Sequence, residues 1–306
     1  MNTSILLTGS NGLLGQKIVS LLAGRPDTTL IATARGDNRH PLRTGYIYED
    51  ADLTEATRWQ ALFETYRPDV LIHTAAMTLV DVCEDDHVGC DAINVDAVAT
   101  LVALCRQYDT HLVHISTDFV FDGAAGPYRE SDVPNPVNYY GLSKLRAEQL
   151  ILDSGLPAAI LRTILLYGAT PAMSRSNIVL WVKSSLEAGK SIQIVNDQWR
   201  SPTLAEDLAA ASVLAADQRA RGIYHISGPD WLGVHELAYR VADFWQLDAS
   251  LISETRSDLL RQRAMRPPRT GFVLDKARYE LGYRPHLLDE GLALLHTQLL
   301  ELVEQV

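Results

Sequence analysis

The chain has 306 residues, of which 47% are apolar and 21% charged, the balance of a folded globular protein rather than a disordered one. Its 27 Lys and Arg residues against 38 Asp and Glu residues give a net charge of −11, which argues against a nucleic acid partner because an acidic chain repels a phosphate backbone. Three cysteines without a CxxC pair, no apolar run long enough for a membrane span and no basic-then-apolar start predict a cytoplasmic protein without a membrane partner.

Short apolar runs alternate with helical stretches through the first half. In chain order we predict a strand at 4–8, a helix at 13–22, a strand at 29–34, a helix at 55–66, a strand at 69–73, a helix at 90–108, a strand at 111–116, a helix at 140–153 and a strand at 158–162. Apolar strands separated by helices favour an α/β Rossmann fold, a doubly wound parallel sheet covered on both faces. Such a sheet binds ligands at the carboxyl ends of its strands.

After residue 167 the pattern loosens. We predict helices at 177–188, 205–216, 234–245 and 287–304, strands at 191–195 and 222–227, and a loop at 266–269. We interpret residues 1–165, together with parts of 200–230, as the sheet domain. Residues from about 166 to 306 are then mainly a smaller C-terminal α/β lobe that closes over the sheet edge.

A glycine-rich turn follows the first predicted strand. Its glycines are spaced Gly-x-x-Gly-x-x-Gly and lead into the first helix. Glycine lets a pyrophosphate approach the backbone, and a helix N-terminus supplies N–H donors and the positive end of a dipole. We predict a dinucleotide site here, with a purely structural turn as the alternative. The residues assigned to it are Gly9, Asn11, Gly12, Leu13, Leu14 and Gly15.

Arg35 bears on the choice of dinucleotide. It stands near the end of the second predicted strand, where an acid ordinarily binds the ribose 2′-hydroxyl of NAD. A guanidinium there suits a 2′-phosphate. We therefore predict that NADPH is preferred and that NADH remains usable. Two alternatives stay open: Arg35 is a solvated loop residue, or Asp37 meets the ribose instead.

Tyr140 and Lys144 lie four residues apart on a predicted helix, so their side chains share one face. A nearby ammonium lowers a tyrosine pKa from about 10, and a phenol tuned in this way can exchange a proton near neutral pH. Ser116 and Thr117 stand at the end of the preceding strand, where a hydroxyl can bind a carbonyl oxygen. The group predicts a proton-transfer site, although such a pair alone is also common on solvated helix faces.

The glycine spacing and the Thr/Ser, Tyr and Lys residues together resemble the extended branch of the short-chain dehydrogenase/reductase superfamily. The resemblance implies a catalytic triad of Thr117, Tyr140 and Lys144, with Ser116 the weaker choice for the hydroxyl. It also implies adenine contacts from an Asp-Leu pair and close passage of the cofactor along a pair of alanines. These further cofactor residues are Asp52, Leu53, Ala75 and Ala76, beside Tyr140 and Lys144 themselves.

Longer stretches, spread over nearly the whole chain, are similar to the dTDP-4-dehydrorhamnose reductase family. They are residues 73–81, 115–123, 127–130, 140–144, 161–163 and 197–203, and Arg266-Pro267. This resemblance implies NAD(P)H-dependent reduction of a 4-keto-6-deoxy sugar on a nucleoside diphosphate, most simply dTDP-4-dehydrorhamnose. It also implies a homodimer and a nucleotide-sugar partner. The implied substrate residues are Thr117, Asp118, Phe119, Val120 and Arg200.

Two positions depart from that family. Leu165 stands where the family often has Trp, and Arg200 stands where it usually has Gly. The same regions bring the chain closer to the regulatory β subunit of methionine adenosyltransferase, which keeps the fold and the nucleotide site but acts as a binding partner. A non-catalytic NADP-binding subunit is therefore the alternative hypothesis.

Several other residues receive structural interpretations. The nine histidines form no metal-binding pattern, so no metal is expected, and the three cysteines fit buried helical positions with nothing to lower a thiol pKa. We interpret His73 as a packed neighbour of the cofactor rather than a base. Asn94 either holds backbone near the cofactor or lies on a helix surface. Residues 84–86 form an acidic cluster that we interpret as solvated.

Overall fold

A seven-stranded parallel sheet is the centre of the computed structural model, which describes residues 2–173, 176–260 and 262–304. The strands are β1 Thr3–Thr8, β2 Thr28–Ala34, β3 Ile47–Asp50, β4 Val70–His73, β5 His111–Thr117, β6 Ala158–Thr163, β7 Leu166–Tyr167, β8 Ile192–Val195, β9 Trp199–Arg200, β10 Thr203–Leu204, β11 Gly222–Ile226, β12 Leu232–Gly233 and β13 Ile252–Thr255. The sheet order is β11-β6-β5-β4-β1-β2-β3, and every pair in it is parallel. The predicted doubly wound Rossmann fold is confirmed. Because the strand order reverses between β1 and β4, the ligand crevice lies at that edge.

Helices cover both faces of this sheet, and further helices lie in the second half of the chain. The helices are α1 Leu13–Leu22, α2 Ala56–Tyr66, α3 Val80–Asp85, α4 His87–Asp91, α5 Ala97–Tyr108, α6 Tyr139–Asp153, α7 Ile178–Glu187, α8 Ala205–Asp217, α9 Val234–Phe244 and α10 Leu288–Glu304. The apolar period of α1 buries Leu14, Ile18 and Leu22 against the sheet. Helix α6 starts at the Asn138 cap, whose side chain accepts a hydrogen bond from the Gly141 N–H at 2.8 Å.

The stretch predicted as one helix at 90–108 is divided in three. A π-helical turn at Ala92–Asp96 separates α4 from α5. By length and composition, the combined stretch His87–Tyr108 is the one described helix that could cross a membrane, which the sequence pattern did not anticipate. Its buried residues Val98, Leu101 and Cys105 pack in a hydrophobic cluster beneath the sheet, and a core helix passes the same test.

The interpretation of the acidic cluster at 84–86 as merely solvated is wrong, because each of its three side chains has a partner in the protein. The Glu84 carboxylate accepts a hydrogen bond from the Tyr139 N–H at 2.9 Å, at the start of α6. Asp86 caps α4 by accepting from the Gly89 N–H at 2.9 Å. Asp85 pairs with Arg263. The acidic cluster therefore connects the starts of α4 and α6 with the loop that carries Arg263.

The second half of the chain has a hydrophobic cluster of its own, formed by α7, α9, α10 and the short strands around them, with Val182, Leu237 and Leu292 fully buried. Not all of this half lies apart from the sheet, because β11 extends the sheet beside β6 and α8 packs on α1. Both elements fall within the 200–230 region, and the division near residue 165 stays a prediction.

Candidate active site

A cavity of about 630 Å³ lies at the carboxyl edge of the sheet. The glycine turn, the segment after β4, the end of β5 and the first turn of α6 all contribute to its walls. Among the predicted residues lining it are Gly9, Asn11, Gly12, Leu13, Leu14, Gly15, Ala75, Ala76, Thr117, Asp118, Phe119, Tyr140 and Lys144. The two predicted groups, for dinucleotide binding and for proton transfer, therefore share one cavity.

The glycine turn is packed too tightly for side chains. Gly9 has φ +71°, and a Cβ on Gly15 would stand 2.2 Å from the Gly9 carbonyl oxygen. Helix α1 begins after Gly12, which has no side chain to cap it, and its first turn carries no acidic residue. Leu13 and Leu14, in that first turn, line the cavity. The helix N-terminus thus offers its N–H groups to an anion in the cavity, which fits a pyrophosphate.

Asn11 connects the glycine turn to the loop after β2. Its amide donates to the Asp37 carbonyl oxygen at 2.9 Å and accepts from the Arg39 N–H at 2.8 Å. The Tyr48 hydroxyl reinforces this loop by donating to the Gly36 carbonyl oxygen at 2.5 Å. Asn11 therefore fixes the loop that carries Arg35, a role that the sequence did not indicate.

A second cavity, of about 250 Å³, continues from the glycine turn toward the end of β2. Its predicted members are Gly9, Arg35, Asp52, Leu53, Ala75 and Ala76, and Trp59 and Ile93 add apolar surface. The Arg35 guanidinium lies 3.7 Å from the Asp52 carboxylate, with the arginine side chain 85% exposed. Hydrogen bonds from Thr54 lower the pKa of Asp52, and Arg35 adds to that shift. The dimensions and lining fit an adenosine group.

Lys144 is buried against β5. Its ammonium donates to the Ile115 carbonyl oxygen at 2.7 Å and lies 3.2 Å from His114 Nε2. Burial lowers the pKa of Lys144 to about 8, opposed by the nearby Glu148 carboxylate. Lys144 therefore remains mostly charged at pH 7.

The predicted lowering of the Tyr140 pKa by Lys144 is wrong for this structure. Burial raises the pKa of Tyr140, and only its side-chain hydrogen bond with Thr117 opposes the shift appreciably. The phenol is therefore neutral at pH 7 and holds a proton to donate. The Ser116 hydroxyl donates to Glu148 at 2.5 Å, within a buried ion pair between Glu148 and Arg162. This leaves Thr117 as the better candidate for the third member of the group.

Asp118, Phe119 and Arg200 also line a third cavity, of about 330 Å³, which adjoins the first and reaches into the second half. The buried Arg200 guanidinium donates to the Trp199 carbonyl oxygen at 2.7 Å and lies 3.9 Å from the Asp118 carboxylate. Burial raises the pKa of Asp118 and lowers that of Arg200. Arg266, paired with Asp81 at 2.6 Å, lines the same cavity.

Val120 does not face any of these three cavities. Its side chain is fully buried in the main hydrophobic cluster, because the short helical turn at 118–120 directs it into the core. Its assignment as a substrate residue is corrected on this ground.

Most of the other residues that received a structural interpretation agree with it. Asn94, within the π-helical turn, is buried and accepts from the Met77 N–H at 2.8 Å, which matches the interpretation that it holds backbone beside the cavity. His73 is buried and packed, and burial lowers its pKa to about 3. The cysteines are buried as expected. However, the neighbouring Cys83 thiol lowers the pKa of Cys90, so the expectation that nothing lowers a thiol pKa is wrong for Cys90.

The sequence patterns missed part of the cavity lining. In the first cavity these residues are Thr74, Thr78, Val80, Ile115, Thr163, Leu166, Met173, Ser176, Asn177 and Leu208, and in the third they are Ile178, Trp181, Gln193, Ile194, Val195, Gln198, Val234, Leu260 and Gln262. Leu165, which departs from the family pattern, lines both cavities. Thr74 directly precedes the Ala75-Ala76 pair, and Thr78 and Val80 follow it closely, so proximity in sequence was a usable signal. Most of the others come from the second half of the chain, where Thr163 and Gln198 fall within the stretches 161–163 and 197–203 and the rest lie outside any motif.

Comparison with known proteins agrees with this geometry. The family described as RmlD substrate binding domain matches residues 2–300. Methionine adenosyltransferase 2 subunit beta of Bos taurus is 30% identical, covering 81% of this chain and 74% of that protein. Probable low-salt glycan biosynthesis reductase Agl14 of Haloferax volcanii is 31% identical, covering 94% of this chain and 96% of that protein.

Solved structures of dTDP-4-dehydrorhamnose reductases are also similar to this chain. A hypothetical dTDP-4-dehydrorhamnose reductase from Sulfolobus tokodaii superposes with a TM-score of 0.83 at 32% identity, covering 94% of this chain and 99% of the other. The dTDP-4-dehydrorhamnose reductase of Bacillus anthracis in complex with NADP superposes with a TM-score of 0.84 at 25% identity, covering 97% of this chain and 100% of the other. The resemblance predicted from the motifs is confirmed, and the chain belongs to the RmlD substrate binding domain family.

Proposed function

We propose that the chain is an NADPH-dependent reductase of a 4-keto-6-deoxy sugar carried on a nucleoside diphosphate, with dTDP-4-dehydrorhamnose the first substrate to test. The observation that carries the proposal is the shared cavity: the open N-terminus of α1 and the Thr117, Tyr140 and Lys144 side chains line one space of about 630 Å³. A binding site for a dinucleotide phosphate thus adjoins a proton donor, the combination that a carbonyl reductase requires.

The chain's own groups fit the cofactor. The N–H groups at the start of α1 would hold the pyrophosphate, since Gly12 provides no side-chain cap. The cavity lined by Asp52, Leu53 and Arg35 would take the adenosine end. Bound NADPH would supply a hydride to the carbonyl carbon of the sugar. Lys144, which lines the same cavity and is mostly charged at pH 7, would bind the ribose next to the nicotinamide.

Proton transfer falls to Tyr140. As the carbonyl carbon gains a hydride, negative charge develops on its oxygen, and a neutral buried phenol can give that oxygen a proton. The raised pKa of Tyr140 keeps the proton in place before reaction. The Thr117 hydroxyl, which interacts with the phenol and donates to the Asp118 carboxylate at 3.1 Å, would turn from Asp118 to hydrogen bond the same oxygen.

The remaining substrate would extend into the third cavity. Asp118 and Phe119 line both this space and the first, so they stand between the reacting carbon and the rest of the ligand. Arg200 and Arg266 supply positive charge there, which suits a diphosphate. The buried Asp118 carboxylate is held by Thr270, so it can keep Arg200 in place.

The test is Tyr140→Phe, which removes the proton and keeps the ring. We expect turnover of dTDP-4-dehydrorhamnose to fall by about 10²–10⁴-fold, while the Kd for NADPH changes little. Tyr139→Phe is the matched control because the neighbouring hydroxyl instead contacts Asp91 at 2.7 Å, away from the cavity. Turnover is measured by NADPH oxidation, and cofactor affinity by fluorescence titration. Equal turnover in wild type and Tyr140→Phe would reject the assigned role.

A second candidate is a non-catalytic NADP-binding subunit. The observation in its favour is the 30% identity to the methionine adenosyltransferase β subunit of Bos taurus over 81% of the chain. The complete Thr117, Tyr140 and Lys144 group argues against it, since a binding protein has no chemical need for all three. Assaying NADPH oxidation with a panel of keto-sugar nucleotides, alongside a pull-down with methionine adenosyltransferase, separates the two. Stoichiometric capture without oxidation of any sugar would favour the subunit.

A further inference from the structure

Lys144 belongs to a buried polar chain that extends away from the cavity. Its ammonium lies 3.2 Å from His114 Nε2. The His114 ring packs on the His73 ring with centroids 5.2 Å apart. His73 Nδ1 in turn lies 2.8 Å from the Thr8 hydroxyl, at the end of β1. All four side chains are at most 3% exposed.

The hydrogen bonds around Thr8 determine the tautomer of His73. The Thr8 hydroxyl oxygen accepts from the Thr74 N–H at 3.0 Å and from the Ala75 N–H at 3.1 Å. With both acceptor positions used, the hydroxyl donates its own proton to His73 Nδ1. His73 therefore carries its proton on Nε2.

The tautomer of His114 follows from its contact with Lys144. An ammonium has only donors, so His114 Nε2 must accept from Lys144 and its proton must lie on Nδ1. Within the part of the chain that the structure describes, neither His114 Nδ1 nor His73 Nε2 has a hydrogen-bond partner. No competing contact there favours the other tautomers.

We propose that His114 is a positioning residue for Lys144, holding the ammonium through a hydrogen bond accepted at Nε2 in its neutral, Nδ1-protonated form, with the His73 ring packed against it. The ammonium then has two acceptors on β5, the His114 ring and the Ile115 carbonyl oxygen at 2.7 Å. This arrangement fixes the direction of the Lys144 side chain toward the cavity. The importance of Lys144 rests on the proposed function, but the hydrogen-bond pattern does not.

The charged and titratable groups that face this chain agree with a neutral His114. Burial lowers the pKa of His114 well below its usual value, and Lys144 and His73 lower it further. Around Lys144 itself, Glu148 on α6 and Cys90 on α4 favour the charged form, while burial opposes it. Removal of an acceptor from this buried ammonium therefore moves its titration to lower pH.

The first experiment needs neither substrate nor cofactor. Nitrogen chemical shifts of ¹⁵N-histidine-labelled protein are recorded from pH 6 to 8, with His114 assigned by the signals lost in His114→Gln. We expect a neutral His114 protonated on Nδ1 and a neutral His73 protonated on Nε2. A His114 protonated on Nε2, or on both nitrogens, would overturn the proposal whatever the chain's activity.

The second experiment follows NADPH affinity from pH 7 to 9. His114→Leu removes the acceptor, and we expect about tenfold weaker binding at pH 8 with an alkaline midpoint about one pH unit lower than in wild type. His114→Gln restores an acceptor and should recover most of the loss. His111→Gln is the control, being a buried histidine on the same strand that makes no contact with Lys144.

The outcomes distinguish the two proposals. An unchanged midpoint in His114→Leu, or a loss in His114→Gln equal to that in His114→Leu, contradicts the positioning role. Absence of NADPH binding in wild type contradicts the proposed function alone, and the histidine tautomers then still decide the inference. If His114→Leu does not fold, His114→Gln and the tautomers provide the decision.

Discussion

Arg35 and Asp52 form an opposite-charge pair at the adenosine end of the proposed cofactor site. The guanidinium is mostly exposed and lies 3.7 Å from the carboxylate. Because an exposed ion pair contributes little free energy, the guanidinium can turn to another anion at little cost. Asp37, the alternative ribose contact, does not line that cavity; its carbonyl oxygen instead accepts from Asn11. Of these two residues, the cation Arg35 and not the acid Asp37 lines the cavity that we propose for the adenosine end of the cofactor.

The first residue-scale prediction concerns cofactor preference. In Arg35→Ala we expect the NADPH preference over NADH to fall by about tenfold or more, since contacts to a charged phosphate contribute about 1.5–3 kcal/mol. Arg43→Ala is the matched control because Arg43 lies in the same loop but donates to the Asn38 carbonyl oxygen at 2.6 Å. The Kd of each cofactor is measured for all three proteins. The same NADPH/NADH ratio in Arg35→Ala and wild type would show that Arg35 is only a surface residue.

At single positions the sequence predicted which residues meet, but not their ionisation or their partners. Thr117, Tyr140 and Lys144 meet because motif spacing and strand ends determine position. The pKa direction of Tyr140 was wrong because it depends on burial, which a spacing of four residues does not reveal. Likewise, the Arg200 guanidinium donates to the carbonyl oxygen of the adjacent Trp199 and to that of Pro268, which lies in a loop 68 residues away.

At the scale of one element, the turn between β1 and α1 gives a sharp prediction. A methyl group on Gly15 would meet the Gly9 carbonyl oxygen at 2.2 Å and the Ser10 Cα at 2.7 Å, both backbone atoms that cannot move aside alone. Gly15→Ala should push α1 away from the turn, destabilising the protein by about 1–3 kcal/mol and abolishing NADPH binding. Leu21→Ala, on the exposed face of α1, should do neither. Urea unfolding and cofactor titration give the two readouts. Tight NADPH binding by Gly15→Ala would contradict the packing argument.

Elements with strong apolar periods were predicted well, and short or polar ones were not. The predicted helix at 13–22 matches α1 Leu13–Leu22 because its buried residues repeat at helical spacing. Strand β3 Ile47–Asp50 was missed because it is a four-residue edge strand that ends in two acids and is only partly buried. The π-helical turn at Ala92–Asp96, which contains Asn94, has no sequence period that differs from that of an α-helix. It could therefore not be predicted from the sequence.

At the scale of the whole molecule, the parallel sheet itself collects the site. Carboxyl ends of β1, β4 and β5 meet at one edge, so residues from distant parts of the sequence line one cavity. Alternation of strands and helices was enough to predict this edge. The lining from the second half depends on how that half packs over the edge, and its short strands of two to five residues carry too little pattern to predict it.

The sheet also buries several histidines in neutral form, which makes the stability of the whole fold depend on pH. Burial lowers the pKa of His73 to about 3, of His111 to about 4 and of His225 to about 3. In the unfolded chain each titrates near 6.5. Between these values the unfolded chain binds more protons than the folded one. The contribution of these histidines to the free energy of unfolding is therefore fully present above about pH 6.5 and is lost as the pH falls.

We therefore expect stability to fall steeply between pH 6 and pH 5, above the range in which ordinary carboxylates titrate, by about 1.4 kcal/mol per pH unit for each fully buried histidine. His111→Gln removes one such group, at the start of β5 and away from the cavity. Its slope of unfolding free energy against pH should be shallower than that of wild type by about one proton. Urea unfolding at pH 7, 6, 5.5 and 5 measures both slopes. A wild-type stability that is flat over this range would contradict the burial argument, and equal slopes in the two proteins would exclude His111 as a contributor.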